Sequence, residues 1–398
     1  MQSSWYWSAT TNANNTNNAW IVNMNNGNVN NNNKTNNNNY VWPVRGGEWK
    51  PGDTGKKALP HAKDRDISRN NLCHSRGGGN PKKYWIPGQA RNDEEEKASA
   101  GIFNFENLYA CYRKCRKHKR GTINALKFEI NAEENLFKMA EELLTRTYSP
   151  SRSVCFVVDR PKMREIVAAD FRDRVVHHLL VERLEAVFEP VFVHDSYACR
   201  KDKGLHKAVT RAREFIRRGS RNSRKRLYFT HLDISNFFMS VDKDILFDLI
   251  KKKVKDETLL WLARVIIFHD PVADCIIKGN RELIKHLPAH KSLFHSPEGR
   301  GLPVGNLTSQ FFANVYLNEL DQFVKHTLKR SYYVRYCDDF LLFGDSVQGL
   351  TAAKDEIAKF LAARLKLVLN EKYSRIMHVQ SGIDFLGCVH PERLNSLN

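Results

Sequence analysis

No stretch of these 398 residues approaches the roughly 18 consecutive apolar residues that a membrane span needs, and the N-terminus lacks the basic and then apolar layout of a secretory signal. The expected location is therefore cytoplasmic, with no membrane partner. Paired cysteine spacing is missing as well. The eight cysteines (Cys73, Cys111, Cys115, Cys155, Cys199, Cys275, Cys337, Cys388) are scattered without a CxxC, so neither a disulfide framework nor a zinc ribbon is indicated. Cys111, Cys115 and His118 would set three ligand types on one basic helix, but no second ligand pair stands elsewhere, and they read as helix residues. Acidic residues are in deficit. Lys and Arg outnumber Asp and Glu 63 to 44, a formal net charge of +19 that favours a polyanionic partner, nucleic acid before an anionic surface. The hydrophobic share, 41%, suffices for two or three packed units over part of the length.

The chain changes character along its length. From Asn12 to Asn39 asparagine dominates, punctuated by Trp20 and flanked by Trp5, Trp7, Tyr40 and Trp42; such runs bury too little apolar surface to fold alone and read as a disordered polar tail. Residues 50–100 mix Gly, Pro, Lys, Arg and Asp without periodicity and read as a disordered linker. Order is expected after Gly101. There ENLYACYRKCRKHKRG and EENLFKMAEELLTRTY show helical spacing (Leu136, Met139, Ala140, Leu143, Leu144), predicting two helices parted by a basic turn. Arg113, Lys114, Arg116, Lys117, Lys119 and Arg120 form either a solvated face or a contact for template phosphates.

Four segments carry chemistry. In YYVRYCDDFLLFG, residues 332–344, β-formers flank the adjacent acids Asp338 and Asp339 and imply a hairpin with the carboxylates at its turn. Adjacent carboxylates repel, so the pair is better explained by a cation than by structure, the alternative being an ordinary acidic turn. In RLYFTHLDISNFFMSVDKDIL, residues 226–246, Leu227, Phe229 and Leu232 mark a strand with Asp233 at its end. Asp233 is either a helix cap or a partner for the hairpin acids, and together the three carboxylates can hold two Mg²⁺ ions for in-line nucleotidyl transfer, with Mn²⁺ able to substitute. GRGLPVGNLTSQFFANVYLNELDQFV, residues 299–324, opens with a close-approach loop at Gly301, Pro303 and Gly305 and continues as an amphipathic helix. VVDRPKMREIVAADFRDRVVHHLLVERL, residues 157–184, gives a strand at Val157 and Val158, a helix, and Lys162 and Arg164 as cationic donors to a triphosphate. His177, His178 and His206 read as packed or surface histidines without a role.

YCDDF resembles the YxDD box of reverse transcriptases, and LDISNFF resembles the palm motif that supplies their first catalytic aspartate. The resemblance implies an α+β polymerase right hand, with an N-terminal basic helical extension over 101–150, fingers over 151–225 and palm over 226–390. Residues 391–398 would then be the truncated start of a thumb. It carries the catalytic and metal-ligand roles onto Asp233 and Asp338, with Asp339 as the neighbouring acid, and the aromatic gate against a ribose 2′-hydroxyl onto Phe238. Arg164 falls beside the triphosphate with Lys162 near it, Val304 and Gly305 fall at the incoming nucleotide, and Arg200, Gly301, Phe385, Leu386 and Gly387 fall at the template or primer.

Reverse transcriptases of the group II intron type carry Gln where Val304 stands, and SP where Ser309 and Gln310 stand; LPVGNLTSQ instead resembles the branch found in diversity-generating retroelements. That branch implies copying with errors at template adenines, with template RNA, a primer or cDNA, deoxynucleoside triphosphates and a small basic accessory protein as partners. The Asn-rich residues 1–49 look like a translated adenine-rich template repeat, and CHSRGGGNP and WIPGQARND within 50–100 resemble chance translations of dispersed intergenic repeats. Two other readings compete: a group II intron or retron-type polymerase of ordinary fidelity, and a defective RNA-binding remnant.

Overall fold

The computed structural model describes residues 101–117, 121–160, 162–371 and 374–387, together with the backbone of four strands between residues 5 and 41. It divides into two compact units, Met1–Lys97 and Ala98–Asn398. In the first, where composition predicts a disordered tail, the described residues form β1 (Trp5–Thr11), β2 (Asn18–Asn23), β3 (Val29–Asn33) and β4 (Tyr40–Val41) in the order β3-β2-β1-β4. In the register of β1 and β2, Tyr6 stands opposite Val22 and Trp7 opposite Ile21. The linker over 50–100 and the thumb remnant over 391–398 lie outside the described residues.

The second unit opens with three helices, not two: α1 (Phe105–Arg116), α2 (Ile123–Ile130) and α3 (Ala132–Leu144). Asn131, at φ −127° and ψ 48°, parts the last two. Leu108, Cys111, Tyr112 and Cys115 recur at helical spacing and form the buried stripe of α1, so both cysteines are helix residues, as read, and are buried. Lys114 pairs with Glu182 and Arg116 with Glu129, while Arg113 and Lys117 stay exposed. Lys119, Arg120 and His118 lie outside the described residues.

Two sheets follow. β5 (Val154–Val158) and β6 (Arg164–Ala168) form an antiparallel hairpin, and β8 (Ile276–Ile277) adds in parallel to β5. The larger sheet has the order β11-β7-β10-β9, all antiparallel, from β7 (Tyr228–Leu232), β9 (Tyr333–Tyr336), β10 (Asp339–Gly344) and β11 (Ile376–His378). The unbroken apolar run Phe340–Phe343 is explained by cover on both faces: Phe340 and Leu342 join one core, Leu341 and Phe343 the other. α11 (Val347–Phe360) contributes Leu350, Ala353 and Ile357 to the first, and α5 (Leu205–Gly219) contributes Ala208, Val209, Ala212 and Phe215 to the second.

α4 (Phe171–Phe188), capped by Asp170, packs on α10 (Leu307–Gln322). The amphipathic pattern expected of α10 is not what forms. It is buried on nearly every side, with Asn314 and Asp321 inside as well as Phe311, Phe312 and Leu317. A helix enclosed by α4 and the core beneath the sheet has no solvent face to mark with charge.

Candidate active site

Asp233 is the first residue beyond β7, and Asp338 and Asp339 lie where β9 turns into β10. Phe340 stands opposite Leu232, so one further step along each strand sets Asp339 against Asp233. A register fixed by apolar side chains on both faces thus delivers three carboxylates to one end of the sheet. Tyr336 pairs with Asp339 to close a two-residue turn whose first residue, Cys337, holds the left-handed φ of 57° that such turns demand.

The carboxylates disturb one another. Burial first, and then Asp339 and Asp233, push Asp338 up from an ordinary 3.8 to about 6. Asp233 is raised too: burial outweighs its hydrogen bond from Asn370, Asp339 adds to it, and His231 and Lys162 nearby oppose it. Acids that raise one another's proton affinity form a donor set suited to a divalent cation, and hard carboxylate oxygens are what Mg²⁺ takes. Among the described residues no group of three or more His, Cys, Asp or Glu side chains stands close enough together to hold a metal ion as the side chains are placed. Asn370 Nδ2 donates to Asp233 Oδ2 at 2.9 Å, and His231 Nε2 lies 3.3 Å from Asp339 Oδ1. These two side chains orient two of the three acids, as outer partners orient ligating carboxylates.

A pH dependence follows. A carboxyl whose folded pKa exceeds its unfolded one binds its proton more tightly in the native state, so native stability falls as pH rises through the window from about 4 to about 6. Asp338→Asn is therefore expected to melt higher than wild type in EDTA at pH 7, by about 1–2 kcal/mol once partial exposure is discounted, with the gap closing below pH 5. Thermal melts of both proteins across that range check it.

The other predicted residues divide. Lys162, exposed between β5 and β6, acts on the charge of Asp233, and Arg164 opens β6 opposite Val158 with its side chain exposed. Phe238, half-buried in the short helix α6 (Phe237–Ser240), meets Phe237 edge to face at 5.2 Å, and its carbonyl accepts from Leu302 N at 2.7 Å. At the far end of the same loop the Val304 carbonyl accepts from Val167 N at 2.9 Å. Gly305, at φ 114°, sits so close to β6 that an added Cβ would stand 2.9 Å from Ile166 Cγ2. The loop thereby ties Phe238 to the β5–β6 hairpin, bringing Phe238, Val304 and Gly305 into one neighbourhood.

Three of the residues expected at the template or primer have their groups engaged within the fold. Arg200 is spent inside the fold: its side chain is 5% exposed, Nε and Nη2 donate to Glu189, and Nη1 donates to the carbonyls of Val193 and Ser196. Gly301 is buried, its N donating to the Val241 carbonyl at 2.9 Å, and Phe385 is wholly buried with its ring edge-on to His231 at 5.9 Å. Leu386, half-buried, and Gly387, exposed, turn the chain away at φ 57° and 70°. His177 is a core residue, as expected; burial lowers it to about 3. Sequence reasoning missed His231, which alternation places on the same strand face as Asp233, and Asn370, which no local signal marks.

The family model described as Reverse transcriptase (RNA-dependent DNA polymerase) matches residues 158–390. Protein YkfC of Escherichia coli (strain K12) is 24% identical over 304 residues, covering 67% of this chain and 73% of that protein. The group II intron-encoded protein LtrA of Lactococcus lactis subsp. cremoris is 25% identical over 325 residues, covering 64% of this chain and 49% of that protein, so the chain spans about half of its length. Among solved structures, apo telomerase from Candida tropicalis, truncated from its C-terminal domain, aligns with a TM-score of 0.42 and 11% identity over 64% of this chain and 58% of that one. No described helix is long and apolar enough to cross a membrane.

Proposed function

The chain belongs to the reverse transcriptase (RNA-dependent DNA polymerase) family, and we propose that it copies template-repeat RNA into complementary DNA with errors concentrated at adenines. The observation that carries the polymerase reading is the convergence of Asp233, Asp338 and Asp339 on two strands held in register. Asp233, Asp338 and Asp339 would hold the divalent cations, two Mg²⁺ with Mn²⁺ able to substitute, which would stabilise charge at a primer 3′-hydroxyl and a leaving pyrophosphate. The protein's own part is placement. Lys162 and Arg164 offer cations to the triphosphate from the β5–β6 hairpin, and Phe238 offers a hydrophobic edge where a ribose 2′-hydroxyl would crowd. Leu386 and Gly387 remain as backbone contacts to the primer, and a small basic accessory protein is the expected partner.

The error-prone reading is supported by Val304, an aliphatic residue in the loop docked on β6, together with the asparagine runs of residues 1–49. The test is primer extension by the full chain on an adenine-containing RNA template with Mg²⁺ or Mn²⁺, followed by sequencing of the products. Errors clustered opposite adenine are expected, and Val304→Gln should cut them several-fold, a difference of about 1 kcal/mol in discrimination. Uniform, sparse errors would instead favour a polymerase of ordinary fidelity, the reading that the similarity to a group II intron-encoded protein favours. RNA binding without synthesis would leave the remnant.

A further inference from the structure

Arg335 precedes the catalytic turn by two residues and is 0% exposed, as is its partner Asp321 on α10. Its Nε and Nη2 donate to Asp321 Oδ1 and Oδ2 at 2.7 and 2.6 Å, Nη2 also to Ser196 Oγ at 3.0 Å, and Nη1 to Asn314 Oδ1 at 3.3 Å. The remaining contact is the informative one: Nη1 donates to the carbonyl of Cys337 at 3.0 Å. Cys337 is the left-handed residue of the turn, a conformation that a side chain with a Cβ adopts at a cost of about 1–2 kcal/mol, and the next two residues are Asp338 and Asp339. Around it, Tyr333 donates its hydroxyl to Asp321 Oδ1 at 2.6 Å, and Asn314 Nδ2 donates to the Ala198 carbonyl at 2.8 Å. One guanidinium thus joins α10, the 195–198 segment and the turn itself. Burial opposes its charge, but Asp321 more than offsets that and keeps it protonated.

Stability alone is a poor reason for such an ion pair, since well-packed apolar residues of similar volume commonly do as well. We infer that Arg335 is a positioning residue, which, anchored by Asp321, grips the Cys337 carbonyl and so fixes the turn that presents Asp338 and Asp339. The inference rests on reading those aspartates as the reaction centre. It concerns how the turn is held, not what the acids do.

The test compares the full-length wild type with Arg335→Met/Asp321→Leu and with Arg335→Lys. Met and Leu refill the cavity without charge; Lys keeps the charge but has no fork with which to hold carboxylate and carbonyl together. Melting, hydrogen exchange at the amides of Asp338 to Phe340 in EDTA, and steady-state synthesis are measured. The expected result is a folded double variant melting within a few degrees of wild type, turn amides exchanging about 10-fold faster, and kcat lower by about 100-fold with KM for the nucleotide little changed. The lysine variant should show the same faster exchange, so a double variant that fails to fold does not remove the test. Folded variants whose turn amides exchange at the wild-type rate would overturn the proposal. The exchange is read without metal or substrate, so a wild type that makes no DNA counts against the reading of the site, while the exchange still decides the role of Arg335.

Discussion

Asp338→Asn is expected to lower kcat for DNA synthesis by at least about 10³-fold, while RNA affinity and its salt dependence stay at wild-type values. The amide has nearly the shape of the acid, so the turn between β9 and β10 survives; what is lost is one negative charge where three acids converge. RNA affinity should be governed by basic residues spread over a chain of net charge +19, and one uncharged substitution at the sheet end leaves them untouched. Asp233→Asn should behave alike, since Asp233 enters the same mutual repulsion from the neighbouring strand. Single-turnover extension of a labelled primer, paired with filter binding to RNA across a salt series, separates the two quantities. Synthesis retained within 10-fold of wild type would remove Asp338 from the reaction. The same substitution is expected to stabilise the cation-free protein, and the thermal melts separate a loss of activity from a loss of fold.

The acidic hairpin was legible in sequence because its two signals are local and reinforce one another. β-formers stand on both sides of a turn, and two adjacent acids stand where repulsion makes no structural sense. Asp233 was legible for a related reason, as an acid at the end of a strand of Leu227, Phe229 and Leu232. The helix Leu307–Gln322 reads as amphipathic in sequence, but in the fold its polar residues Asn314 and Asp321 point inward to Arg335. Arg200, which the resemblance sets at the template or primer, has its donors taken by Glu189 and two carbonyls. Pairings across 11 and 14 residues, or the 137 that separate Asn370 from Asp233, leave no periodicity to read. Binary patterning marks which side chains are buried, but a buried polar network also needs to know its partners, and those are set by topology.

Asp321→Ala is expected to cost about 3–5 kcal/mol, a large share of the 5–15 kcal/mol that a folded domain typically commands. The carboxylate neutralises a guanidinium with no solvent exposure and also accepts the Tyr333 hydroxyl, itself fully buried. Removing it leaves a charge that can neither reach water nor give up its proton, and strips one partner from a phenol. At roughly 2–4 °C per kcal/mol for a unit of this size, the melting temperature should fall by about 10 °C. Asp321→Asn should fall between, because an amide oxygen still accepts one bond while its NH₂ faces donors. Arg335→Ala should cost as much as Asp321→Ala, since it orphans the carboxylate instead. The paired Met and Leu replacement should cost far less than either single truncation, because it removes both charges together. A double-mutant cycle in urea, with equal m-values required for every variant, measures that non-additivity directly. Single truncations within 1 kcal/mol of wild type would mean that water reaches the pair in solution, and that α10 does not seal the underside of the turn between β9 and β10.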